Sequence, residues 1–114
     1  MGEFSCVRIW QLKAEATPAD LENLATSSLL EMQRWIPGVK RFALFRIAYT
    51  ADDATRYSMN LTFASHEAYK YWLQMEEEAL DYWERYAAVL TRWEQLCFLV
   101  AEYAGELIVD ASLG

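Results

Sequence analysis

One histidine, two cysteines, two prolines and four glycines leave this chain of 114 residues short of the parts from which metal sites, disulfide scaffolds and phosphate loops are built. Cys6 and Cys97 are too few for a disulfide framework and match no metal-ligand spacing. A single imidazole, His66, with two distant thiols cannot supply the several close ligands a metal needs, and no metal or other cofactor is expected. No Gly-rich phosphate loop is present, and no Gly-flanked serine sits where a strand-to-helix nucleophile turn would need one. Positive charge is also scarce. Ten Lys and Arg stand against 17 Asp and Glu, the net charge is -7, and the basic residues are scattered, which argues against a nucleic-acid partner. No apolar run approaches the roughly 20 residues of a membrane span, and the first residues lack a basic segment followed by an apolar one. The expectation is a cytoplasmic protein without a membrane partner.

What is plentiful is apolar and aromatic. Hydrophobic residues make up 54% and aromatics 15%, with five Trp and seven Tyr, so the chain has the means for a core and for an aromatic pocket or interface. Its length fits one domain spanning residues 1–114, small enough that a second copy would help to bury its apolar surface.

Cys6 to Lys13 reads as a strand, with Val7, Ile9 and Gln11 on one side and Arg8, Trp10 and Leu12 on the other. Thr17-Pro18-Ala19-Asp20 is a helix start: Thr17 can cap, Pro18 suits the first helical position and Asp20 suits the positive helix end. Leu21, Leu24, Ala25, Ser28, Met32, Trp35 and Ile36 follow at helical spacing, and the helix must end at or just before Ile36, ahead of Pro37. Val39 to Tyr49 reads as a second strand, the polar stretch Thr50 to Thr55 as a turn, and Arg56 to Ala64 as a third strand. In that third strand Tyr57, Met59, Leu61 and Phe63 make an apolar side, while Arg56, Ser58, Asn60 and Thr62 make a polar one.

Ser65 caps a second helix from His66, whose stripe runs Ala68, Tyr69, Trp72, Leu73 and then Ala79, Leu80, Trp83, Tyr86, Ala87, Leu90 and Trp93, with a solvated and bent region at Glu76 to Glu78. Periodicity through Cys97, Val100 and Ala104 permits helix as far as Gly105. A helix of some 40 residues at about 1.5 Å each would overrun so small a domain. We therefore expect the helix to yield near Arg92 to Gln95, with Leu96 to Tyr103 a fourth strand and Leu107 to Asp110 a short terminal one. On that topology the two cysteines lie near opposite ends of neighbouring strands, on the order of 20 Å apart and beyond disulfide reach.

The order strand, helix, strand, strand, helix, strand is a split βαβ unit. Trp35-Ile36-Pro37-Gly38-Val39 leading into a hairpin, and Phe63-Ala64-Ser65-His66-Glu67-Ala68-Tyr69 opening the second helix, resemble the dimeric α/β barrel superfamily. That group includes antibiotic-biosynthesis-type monooxygenases, stress-responsive barrel proteins, haem-degrading enzymes and small polyketide cyclases. The resemblance implies an α+β, ferredoxin-like fold with a four-stranded antiparallel sheet, helices on one face, and pairing of two copies into a dimeric α/β barrel. The haem-degrading branch looks for an Asn on the early sheet and a Trp and a His on the second helix, and the stress-responsive branch for a His on the first strand. This chain has Arg8 and Trp10 on its first strand and its His66 at a helix start, so neither branch's activity carries over.

With Tyr57, Met59, Leu61 and Phe63 facing the helices, the polar row Arg56, Ser58, Asn60 and Thr62 is left to face the dimer, together with Arg8 and Trp10 on what is taken to be a parallel neighbour. Two functions follow. In the first, a cofactor-independent monooxygenase, cyclase or isomerase acts on a small hydrophobic, aromatic or polyketide-like molecule: Arg8 and Arg46 steady an anionic oxygen, Asn60 and Ser58 orient it within a row that includes Thr62, Trp10 stacks, and His66 moves a proton. In the second, the chain is a noncatalytic dimeric binding or interaction module, the polar row only knits the interface, and His66 is an exposed first-turn residue. Trp72, Trp83, Tyr86 and Trp93 could wall a flat ligand, but their helical spacing is better explained by packing on the sheet.

Overall fold

The computed structural model describes residues 2–35, 37–78 and 80–114. The stripe positions assigned above to Ile36, Ala79 and the Leu80 side chain lie outside what is described. The elements are β1 (Phe4–Leu12), α1 (Pro18–Leu24), a π-helical turn (Ala25–Leu29), α2 (Leu30–Trp35), β2 (Val39–Arg46), β3 (Arg56–Phe63), α3 (His66–Glu78), α4 (Leu80–Leu96) and β4 (Cys97–Glu106). The four strands form one antiparallel sheet in the order β2-β3-β1-β4, the ferredoxin-like arrangement, with the helices on one face.

Local chemistry sets the boundaries. Thr17 Oγ1 accepts the backbone N–H of Asp20 at 3.2 Å with Pro18 directly after it, and Ser65 Oγ accepts that of Ala68 at 3.1 Å. Gly38 turns the chain into β2 with φ +106°, a backbone region closed to most side chains. In the hairpin after β2, Asp52 accepts from the Ala54 N–H and pairs with Arg56, while Asp53 takes φ 59°.

The core lies between sheet and helices. Tyr57, Met59, Leu61 and Phe63 are buried, as their alternation requires, under Leu21, Ala25, Leu29, Met32, Trp72, Tyr86 and Trp93. α4 ends at Leu96 and the chain enters β4 at once, which resolves the helix-or-strand ambiguity in favour of a strand. Cys97 opens β4 opposite Leu12, while Cys6 pairs with Ala104 at the other end of the ladder, and both thiols are free and buried.

Three expectations are corrected. β2 stops at Arg46 rather than Tyr49, because only Ile47 N–H, bonded to Arg56 O at 2.9 Å, continues the pairing into the turn. Leu107 to Asp110 is not a strand: one bond, Leu107 N–H to Glu3 O, prolongs the ladder, and the remaining residues are exposed without regular structure. The third concerns β1, which runs antiparallel to β3 with Arg8 opposite Met59 and Trp10 opposite Tyr57. Directly opposed residues share a side of the sheet. Arg8 and Trp10 therefore face the helices, and Val7 and Ile9 join Ser58, Asn60 and Thr62 on the open side. Both sides of β1 are mixed in polarity, so alternation alone carries no information on which of them turns inward.

Candidate functional site

The inward turn of β1 builds a cavity of about 500 Å3 between sheet and helices, a size suited to a small organic ligand. Met59 and Leu61 of β3 contribute to its wall from the sheet, and Met32 and Gln33 of α2, Trp72 of α3 and Trp93 of α4 from the helices. Trp10 meets Trp93 edge to face, with ring centroids 5.5 Å apart. Trp83, 39% exposed, also lines it.

Four buried side-chain polar atoms lack a hydrogen-bond partner among the described residues: the indole N–H groups of Trp10, Trp72 and Trp93, and Gln33 Oε1. All four residues line this one cavity. Each of these atoms is itself shut off from water, so the four are closed into the packing behind the cavity wall and do not open onto its space.

Arg8 and Glu76 add charge. Arg8 donates from Nη2 and Nη1 to Glu76 at 2.9 and 3.2 Å and from Nε to Glu102 at 2.5 Å, and its guanidinium lies 4.9 Å from the Trp72 ring centre. Burial works to lower its pKa, but the bonds to Glu76 and Glu102 outweigh burial and raise it. Its charge is thus balanced by two carboxylates. Burial pushes the Cys97 thiol up to about 12, so this cavity-lining residue is a neutral thiol and no nucleophile at neutral pH.

The structure does not bring the sequence-selected residues together. Arg8 and Trp10 line the cavity. Asn60 and Thr62 lie on the opposite side of the sheet in a shallow hollow of about 170 Å3 with Arg41 and Phe45, and Asn60 Nδ2 donates to Ser58 Oγ at 3.3 Å. Arg46 is paired with Glu22 at a different hollow. His66, at the start of α3, stacks on Phe4 with ring centroids 4.4 Å apart and planes 9° apart. Gln33 and the carboxylates Glu76 and Glu102 went unselected. Gln33 follows Met32 on the helical stripe and is the one buried polar residue among those described, a signal that spacing could have raised. Among the described residues no group of three or more His, Cys, Asp or Glu could hold a metal ion, and no described helix is long and apolar enough to cross a membrane.

No family model matches the sequence, and no curated protein matches it. Solved structures do resemble the fold. HapK from Hahella chejuensis superposes with a TM-score of 0.72 at 16% identity, over 97% of this chain and 98% of its own. SnoaB from Streptomyces nogalater, described as a cofactor-independent oxygenase, gives 0.61 at 18% identity over 99% and 98%. A dimeric ferredoxin-like protein from an uncultured marine organism gives 0.64 at 12% identity over 97% and 100%. At these identities the likeness establishes the ferredoxin-like fold.

Proposed function

We propose that the chain is a homodimer whose helix-side cavity binds a small, flat, hydrophobic molecule carrying carbonyl or hydroxyl oxygens, and that it acts on this molecule as a cofactor-independent monooxygenase. The single observation that carries the reading is one cavity of about 500 Å3 walled by Trp10, Trp72, Trp83 and Trp93. The indole rings would pack on the ligand's rings, and Lys13 at the cavity wall would meet one of its oxygens. The oxygenase character is supported by the resemblance to SnoaB. Self-association is supported by the dimeric neighbour and by the open sheet side, where Phe45 and Tyr103 are 58% and 63% exposed.

The test is twofold. Tryptophan fluorescence of the purified protein should be quenched to saturation by polycyclic phenolic ketones, and oxygen uptake should accelerate with an air-oxidisable member of that class in the presence of EDTA. Absence of saturable quenching by any of them would remove the cavity reading.

A second reading keeps the cavity and drops the chemistry. Arg8 is clamped by two carboxylates and His66 is stacked on Phe4, away from the cavity, which favours a noncatalytic binding module. Saturable quenching without any acceleration of oxygen uptake would select it.

A further inference from the structure

The first helix also lines a second hollow, of about 520 Å3, which shares no residue with the tryptophan-lined cavity. Phe42 and Leu44 of β2 and Ala25 and Leu30 of the helix supply apolar wall, and Glu22, Arg46 and Tyr57 meet at it. The Tyr57 hydroxyl donates to Glu22 Oε2 at 2.6 Å, Arg46 Nε donates to the same atom at 2.7 Å, and Arg46 Nη2 is bonded to it as well. Three donors converge on one carboxylate oxygen. Among the described residues the other, Oε1, accepts no hydrogen bond.

The helix is unusual at this place. The Leu30 N–H reaches Ala25 O, five residues back, across the π-helical turn, and both residues line the hollow. Such single wide turns recur at functional sites because they displace side chains that a regular helix would stack.

We propose that this hollow is a second ligand site, taking a small, neutral, largely apolar molecule that ends in a hydrogen-bond donor, as a phenol does. The donor would bond Glu22 Oε1 while the ring packs against Phe42, Leu44 and Leu30. Charge selects against the alternatives. A cationic head would meet the Arg46 guanidinium, and an anionic head would meet the Glu22 carboxylate, which hydrogen bonds from Tyr57 and Arg46 keep ionised below the usual carboxylate range. A neutral acceptor such as an ether has no hydrogen to give Oε1 and would gain no bond there.

The experiment uses the intact protein with labelled methyl groups, titrated with 4-butylphenol, 4-butylanisole and 4-butylbenzoate and followed by NMR. The phenol should shift the Ala25, Leu30 and Leu44 methyls to saturation, with the anisole and the benzoate at least tenfold weaker there. Glu22→Met should weaken the phenol at least tenfold and leave the anisole unchanged. Equal affinity of phenol and anisole at these methyls would overturn the proposal, as would phenol shifts confined to Leu61 and Leu90 of the other cavity. Should Glu22→Met fail to fold, the phenol-to-anisole ratio on the unaltered protein still decides.

Discussion

Arg8 on β1 and Glu76 on α3 meet as a two-pronged pair, Nη2 to Oε1 at 2.9 Å and Nη1 to Oε2 at 3.2 Å, beside the Trp72 ring. The pair ties a central strand to the helix above it. Because Nε of the same guanidinium also holds Glu102 on β4, removing Arg8 leaves two carboxylates facing each other in a partly dry place. Arg8→Met should lower the unfolding free energy by about 2 kcal/mol. That is less than the roughly 3–5 kcal/mol of a fully buried pair, since the two side chains keep 15% and 22% exposure. Arg8→Lys keeps the charge but not the fork and should recover only part of the loss. Urea unfolding of both variants measures this, and an unchanged midpoint for Arg8→Met would show the pair to be stabilising nothing.

Tyr57 and Glu22 give stability an opposite pH dependence at the two ends of the scale. Burial and the bond to Glu22 push the Tyr57 phenol up to about 12 from an ordinary 10.0. A group whose folded value is raised stabilises fully below its unfolded value and loses that contribution as pH rises, here between pH 10 and about 12. Glu22 is lowered from 4.5 by Tyr57 and Arg46, so its contribution is present above that value and is lost as pH falls below it. Tyr57→Phe should therefore flatten the curve of urea midpoint against pH at both ends. Curves for variant and wild type that run parallel in both windows would contradict the assignment.

Gly38 carries the joint between α2 and β2. At φ +106° any other residue is strained, and a Cβ there would stand 3.1 Å from Ala68 Cβ on α3. Gly38→Ala should cost more than about 1 kcal/mol. Pairing it with Ala68→Gly separates the two causes: the double variant should regain the part due to the clash and retain the part due to φ. Thermal unfolding of the four-member cycle reads the coupling directly.

The legibility of this chain in its sequence divides along the same physical lines. Strand alternation in β3 is unmixed, so its inward set, Tyr57 to Phe63, could be read without a structure. The caps Thr17 and Ser65 are local chemistry and stand where their residue types put them. The cavity is not local. Its wall depends on the side that β1 turns inward, and that is a matter of register between residues some 50 positions apart, Arg8 with Met59, on a strand whose two sides are about equally apolar. Taking β1 and β3 as parallel neighbours groups Arg8 with Asn60, which in the antiparallel pairing lies across the sheet from it. Glu76 was legible as a solvated helix face but not as the partner of Arg8, since nothing in helical spacing reveals what a strand extends towards it.

The cavity's indoles make separable contributions to binding and to stability. Trp10→Phe removes one unpartnered N–H while keeping an aromatic ring in place. Removing an unsatisfied buried donor relieves a cost of about 1–3 kcal/mol, which offsets what the smaller ring loses in packing, so stability should change little. Affinity for a flat aromatic ligand should fall severalfold, because the smaller ring covers less of it. Fluorescence titration beside urea unfolding checks both, and equal affinity of Trp10→Phe and wild type would exclude that indole from recognition.

The row Ala43, Asn60, Val7 and Tyr103 crosses all four strands on the open side, and Phe45, Ser58, Ile9 and Ala101 form the next row. Exposed aromatic and aliphatic groups interleaved with small polar ones suit a self-complementary contact, and in a two-fold dimer each substitution is made twice. Burying a phenylalanine side chain is worth about 1.5–3 kcal/mol. Phe45→Glu would forfeit this in both copies and place two carboxylates in a desolvated seam, so it should weaken association at least a hundredfold. Tyr49→Glu, at a 93% exposed position outside the strands, serves as the control and should leave association intact. Sedimentation at micromolar concentration should show a wild-type dimer, a Phe45→Glu monomer and a Tyr49→Glu dimer. A Phe45→Glu variant as dimeric as wild type would move the interface away from the open sheet, and a wild-type monomer would remove the dimer altogether.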